Sequence, residues 1–135
     1  MELDRAIRIA AAGMDVQSAR LRVVSENLAN RDTTSETAGG DPFRRKTVTF
    51  ANRFNRALGA NIVGVARVGT SKGDFPTRHD PTHPAANAQG YVKTPNVNST
   101  IEVMDMREAQ RSYSANLSVI EVSRGMLTRT IEAMR

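Results

Sequence analysis

The chain has no cysteine and no tryptophan. Without a thiol it can form no disulfide, no zinc–thiolate centre and no cysteine nucleophile. That suits an oxidising or extracytoplasmic destination without demanding one. Aromatic residues make up only 4% of the 135 residues, too few for a large aromatic core. No run approaches the roughly 18 consecutive apolar residues of a membrane span. The start, with Glu2 and Asp4 and no continuous apolar stretch, is not a cleavable secretory signal, so export would use another route. Proline is confined to residues 42–95, which leaves both ends free to form long helices.

Charge divides the chain in the same way. The formal net charge is +5. Residues 1–30 carry four basic and four acidic side chains, and residues 97–135 five of each. The whole excess lies in residues 31–96, with ten basic against five acidic, and five of the six aromatics lie there too. Neutral ends that pack and a basic middle that faces solvent or a polar partner follow from this division.

Residues 99–135 contain no proline and one glycine, Gly125. Val103, Met106, Tyr113, Leu117, Ile120, Leu127, Ile131 and Met134 recur at steps of three and four, interrupted by Gln110 and Arg124. This is the pattern of one long amphipathic helix with a coiled-coil-like seam, roughly 55 Å in length. Ser99 and Glu102 have the spacing of a capping box. A second stripe, Ala115, Val119, Val122, Met126 and Ala133, lies about 200° around the axis.

Residues 3–30 repeat the design. Leu3, Ile7, Ala10, Met14, Gln17, Leu21, Val24 and Leu28 form a first seam, and Ile9, Ala12, Val16, Ala19 and Val23 a second. The fold class expected is mainly α. The two helices pair as an antiparallel, coiled-coil-like hairpin, with short strands in a small insertion between them. The helical core is then residues 1–30 plus 97–135, and residues 31–96 form a loop-rich outer segment. One first seam can cover the other inside the chain. The second stripes call for neighbours that the chain is too short to supply, which points to assembly.

The N-terminal helix closes on Ser25-Glu26-Asn27-Leu28-Ala29-Asn30. From physics alone the two asparagines read first as a C-cap, with donation to a neighbouring backbone as the alternative. Arg31–Asp41 is a Gly- and Thr-rich mobile loop. Thr47–Phe50, Ile62–Val68 and Tyr91–Pro95 read as short strands. Arg44-Arg45-Lys46 reads as a solvated strand flank more readily than as a contact for nucleic acid or an anionic surface. Gly69–Gly73 lacks the Gly-Lys-Ser/Thr ending of a phosphate loop and reads as a turn. His79 and His83 are the only histidines. Pro81 and Pro84 rule out a regular helix between them, no third ligand is placed, and the prolines read as a rigid extended segment. No nucleophile–base pair, metal site or cofactor site is expected, and no enzyme activity.

The Ser25–Asn30 segment is similar to the helix-end signature of flagellar axial proteins. More specifically, Asp80-Pro81-Thr82-His83-Pro84-Ala85-Ala86, followed by Gly90-Tyr91-Val92-Lys93-Thr94-Pro95-Asn96-Val97-Asn98, resembles the FlgC family of proximal-rod proteins. Phe43-Arg44-Arg45-Lys46 and Arg111-Ser112-Tyr113-Ser114-Ala115-Asn116 resemble it as well. The likeness spans nearly the whole chain; the acidic, Arg-rich start Glu2-Leu3-Asp4-Arg5 departs from it.

The resemblance implies a structural subunit of the bacterial flagellar basal body. It would leave the cell through the flagellar type III export apparatus without signal cleavage. It would polymerise around a central channel in the periplasm and transmit torque. Implied partners are other copies of itself, the rod proteins FlgB, FlgF and FlgG, and the FliE adaptor, with no nucleic acid and no membrane span. On this reading Ile9, Val16, Val23, Asn27, Asn30, Ala115, Asn116, Val119, Val122 and Met126 meet neighbouring subunits, and the first seams meet each other within the chain. The alternative is a basic secreted binding module for nucleic acid or an anionic surface. Weak, wholly salt-dependent binding to unrelated DNA would favour the structural reading.

Overall fold

A computed structural model describes residues 2–135. Helix α1 spans Glu2–Ala29. A hairpin follows, β1 Lys46–Asn55 and β2 Ala60–Thr70, then the short strands β3 Thr77–His79 and β4 Tyr91–Lys93. Helix α2 spans Ser99–Ala133; its 35 residues extend about 52 Å.

Contacts gather the chain into two units, and each takes part of both helices and part of the middle. The first contains residues through Leu21, Val48–Arg67 and Met106–Arg135; the second contains Arg22–Thr47 and Val68–Asp105.

In the first unit, α1 and α2 run in opposite directions. Arg20 meets Glu108 at 3.4 Å. Further along, Gly13 lies against the Asn116 amide, so close that a Cβ on Gly13 would be 2.7 Å from Nδ2. Seven steps back along α1 thus match eight steps forward along α2. At that pace Glu2 comes level with about Arg129, and no described residue of α1 stands opposite the last turn, residues 130–133. Early ion pairs support the first turns of α1: Glu2 with Arg5 at 3.3 Å and Asp4 with Arg8 at 3.1 Å.

The hairpin is longer than the sequence pattern indicates. Strand β1 continues through Ala-Asn-Arg-Phe-Asn, and the loop closes where the Gly59 amide donates to the Asn55 carbonyl at 2.9 Å. Gly59 has φ +62°, a conformation other residues adopt only with strain. A two-stranded ribbon with both faces half wet needs no strict alternation, so composition marked only the first half of β1 and the middle of β2.

In the second unit β3 and β4 pair antiparallel, Thr77 with Lys93 and His79 with Tyr91. The segment between them is not extended. The His83 amide bonds to Asp80, and the Ala86 amide to His83, in successive tight turns. Proline's fixed φ suits such turns as well as it suits an extended chain. The Thr- and Gly-rich loop is tied at two points, Phe43 to Thr33 and Gly39 to Ala85, each at 3.1 Å.

Helix α2 starts one residue differently from the capping box. Asn98 is the cap: its Oδ1 accepts from the amides of Thr100 and Ile101, at 3.1 and 3.3 Å. Glu102 is engaged elsewhere.

Candidate functional site: a buried polar node and an uncovered helix face

The second unit is built around Asn27 and Glu102, which are 1% and 0% exposed. Buried polar groups need partners, and both have them. Asn27 Oδ1 accepts the Lys46 amide at 2.8 Å, and its Nδ2 donates to the Lys46 carbonyl at 2.9 Å. The same Nδ2 reaches Glu102 Oε2 at 3.3 Å. Glu102 Oε1 accepts from Arg45 Nε, and Arg45 reaches Asp105 at 3.7 Å. Asn96 Oδ1 accepts the Arg45 amide at 2.7 Å, and its Nδ2 donates to the Gly73 carbonyl. The end of α1, the start of β1 and the first turn of α2 therefore share one hydrogen-bonded joint.

The basic cluster belongs to this joint. Arg44 donates to the carbonyls of Ser71 and Gly73, at 2.8 and 2.9 Å, and lies over the Phe75 ring at 4.2 Å. Lys46 Nζ bonds Glu26 at 2.8 Å. That hydrogen bond, and then the charge of Lys46, hold the Glu26 carboxyl below its ordinary range, with Arg22 adding to the effect against a small burial cost. All three cations are occupied inside the chain. They are neither a solvated flank nor a free anion-binding patch.

Asn30 keeps the capping role: its Nδ2 donates to the Glu26 carbonyl at 2.8 Å and its Oδ1 accepts from Thr33. The signature's two asparagines thus divide the two readings between them. The histidines are structural in their contacts. His79 meets Tyr91 edge to face at 5.0 Å, and His83 Nδ1 accepts the Ala85 amide.

In the first unit, a row of α2 residues turned from solvent runs Met106, Ala109, Tyr113, Asn116, Ile120, Ser123 and Leu127. Their spacing alternates three and four. It differs from the expected seam at every second position: Ala109, Asn116 and Ser123 stand where Gln110, Leu117 and Arg124 are expected. Large side chains alternate with small or polar ones, because close approach of two helices needs small residues at intervals.

The sequence-expected residues fall as follows. Val24 is buried; Leu3, Ile7, Met14, Leu21, Leu28, Met106, Tyr113, Ile120 and Leu127 are half-buried. Val103, Leu117 and Ile131 are exposed rather than turned into an intrachain seam. Ile131, 54% exposed, lies on the stretch that no residue of α1 faces.

On the second stripes, Ile9, Ala115, Val119, Val122 and Met126 are exposed. Val16, Val23 and Asn27 are not available to a neighbour, because the chain covers them itself, and Asn116 is turned onto Gly13. Periodicity locates two stripes on each helix; it does not decide which side of a stripe faces inward.

On the outer side of α2 the apolar residues Val119, Val122 and Met126 are exposed; Leu117 is exposed at the edge of the inward side, and Ile131 and Met134 continue the inward row past the end of α1 and are exposed there. Hydroxyls among them turn back on their own helix, Ser118 to the Ser114 carbonyl, Thr128 to Arg124 and Thr130 to Met126. Among the described residues no helix is long and apolar enough to cross a membrane.

Comparison with known proteins connects this arrangement to a family. The family model for the C-terminal region of flagellar basal body rod FlgEFG proteins matches residues 88–133. A flagellar basal-body rod protein FlgC of Agrobacterium fabrum is 50% identical, covering 98% of this chain and 96% of its own length. FlgC proteins of Bacillus subtilis and Aquifex aeolicus are each 35% identical. The first covers 93% of this chain and 94% of its own length, and the second 100% and 99%.

Proposed function

Because the chain belongs to the FlgC family of flagellar basal-body rod proteins, structural subunits and not enzymes, we propose that it polymerises helically around the export channel and carries motor torque along the rod. The observation that supports this is the set of bare apolar residues that α2 carries between Leu117 and Met134, on its outer side and past the end of α1. Apolar surface of this extent is costly to leave in water, at roughly 25 cal/mol per Å² of apolar area. Close-packed helices in a repeating array are stiff, as a torque-bearing shaft requires.

In this reading residues 1–30 and 97–135 form the helical layer, and their buried stripes mesh as an antiparallel coiled coil. Residues 31–96 form the outer segment. The neighbours are further copies, FlgB, FlgF, FlgG and FliE, met after passage through the type III export apparatus without signal cleavage. The rod lies across the periplasm. Ile9, Ala115, Val119, Val122 and Met126 supply contacts between subunits.

Val119→Asp tests the proposal. A charge on that face would be buried without a partner, at a cost of several kcal/mol. We expect export of the variant to continue while rod assembly and swimming are lost. Normal swimming of a strain carrying it would refute the reading.

A further inference from the structure

The β1–β2 hairpin carries charge of one sign. Residues 48–67 contain Arg53, Arg56 and Arg67 and no acidic side chain. All three arginines are exposed, and among the described residues none of them pairs with a carboxylate. Next to Arg53 stands Phe54, at 64% exposure the barest aromatic residue described. The tip holds these side chains on a fixed turn. Asn55 accepts the Gly59 amide on its carbonyl at 2.9 Å and the Leu58 amide on its Oδ1 at 3.2 Å. A bare ring flanked by arginines on a preformed turn has the make-up of an interface centre.

A groove of matching chemistry lies in the second unit. Asp74, Pro76, Asn96 and Val97 line an opening of about 470 Å³. Its polar groups are largely spent within the chain. Arg44 is committed to the Ser71 and Gly73 carbonyls on the same rim. Asn96 Nδ2 donates to the Gly73 carbonyl at 3.2 Å, and Asn98 Oδ1 caps α2. Asp74 is exposed and pairs with no described residue. What the groove still offers is one carboxylate beside the apolar Pro76 and Val97. The ligand it suits is an apolar group with a cation close by.

We propose that this groove receives the hairpin tip of a second copy of the chain, with Phe54 between Pro76 and Val97 and Arg56 on the Asp74 carboxylate. The contact rests on the rod reading. A second copy answers both patches at once, whereas an anionic lipid or polymer would answer the arginines and leave the groove empty. Tip and groove are different surfaces, so the contact is head to tail: each copy gives its tip to one neighbour and takes the tip of another. Such a contact repeats along a helix. The occupant also has to turn with the rod, because a fixed partner in the envelope would brake it.

The chain has no cysteine, so introduced thiols report this contact without background. Two differently tagged copies are expressed in one strain, one carrying Phe54→Cys and the other Val97→Cys. A disulfide joining the two tags is expected in isolated basal bodies, since a bridge needs Cα atoms within about 7 Å. Arg56→Glu in the first copy should cut its yield about tenfold, and Asp74→Arg in the second should restore it. Without cysteines, Arg56→Glu and Asp74→Arg should each impair swimming, and the double variant should recover it. A swimming strain that forms no such disulfide would overturn the proposal, as would an equal yield from two Phe54→Cys copies. A bridge from Phe54→Cys to a different rod component, or a charge exchange that restores nothing, would do the same. Swimming of the cysteine strains shows that rods have formed, so a missing disulfide there leaves the rod reading standing, while Val119→Asp bears on the rod reading alone.

Discussion

Asn27 holds Lys46 by both of its backbone groups, accepting from the amide at 2.8 Å and donating to the carbonyl at 2.9 Å. A side-chain amide here does what the opposite residue of an antiparallel strand would do. A helix is thereby joined to the first residue of a strand without any further strand between them.

Replacing that amide has a predictable order of effects. Asn27→Ala strands the Lys46 groups in a buried site, at about 1–3 kcal/mol. Asn27→Asp keeps the acceptor but turns a carboxylate oxygen toward the Lys46 carbonyl and toward Glu102. We expect urea midpoints to fall from wild type to Asn27→Ala, and further to Asn27→Asp at neutral pH. An aspartate variant as stable as wild type would contradict the joint described here.

Glu102 and Arg45 form a pair in which one member is wholly buried. Removing only the carboxylate, as Glu102→Leu does, leaves the guanidinium without its main partner. The expected loss is about 3–5 kcal/mol, reduced by the 27% exposure of Arg45. The double variant Arg45→Met with Glu102→Leu should recover part of that loss, because apolar groups of similar size replace both charges. Thermal denaturation of the single and double variants measures the coupling.

Two glycines within helices should respond in opposite ways. Helix propensity favours alanine over glycine by about 1 kcal/mol. At Gly125 the new methyl group enters open space, so Gly125→Ala should raise the stability of the isolated chain. At Gly13 it would meet the Asn116 amide, so Gly13→Ala should lower it by about 1 kcal/mol, and adding Asn116→Ala should restore it. Calorimetry of the three variants against wild type decides the signs.

Acid should loosen the end of α1. The Glu26 carboxyl titrates below its ordinary value of 4.5 because Lys46 bonds it. A depressed folded-state pKa contributes stability that is complete above the unfolded value and is lost as pH falls through the folded one. The effect is small because Glu26 is 40% exposed. Glu26→Gln should flatten the stability profile below about pH 4.5 while leaving its alkaline side unchanged. An identical acid limb in the variant would dismiss the assignment.

Both long helices and the existence of two stripes on each were legible in the spacing of apolar residues. The inward stripe was not. Leu117 and Val103 are more apolar than Asn116 and Glu102, yet the latter pair is turned inward, since Gly13 leaves room for Asn116 and Arg45 claims Glu102. Hydrophobicity ranks residues one at a time, whereas burial depends on what stands opposite. The asparagine signature was visible, and so was the capacity of Asn27 to bond a backbone; its partner lies 19 residues away in sequence, beyond any local rule. Arg44, Arg45 and Lys46 misled for the same reason. A run of positive charge looks exposed until its carbonyls, carboxylates and ring are placed.

The hydroxyls of Ser118, Thr128 and Thr130 donate into their own helix. Water is therefore not the donors' sole partner on the bare side of α2, and dehydrating that side strands fewer polar groups than its Ser- and Thr-bearing sequence suggests. A mean hydropathy of −0.43 describes the chain as hydrophilic. Between the exposed charges of Glu121, Arg124, Arg129 and Glu132, the surface that α2 offers is methyl and methylene groups, with alcohols already quenched by the backbone beneath them.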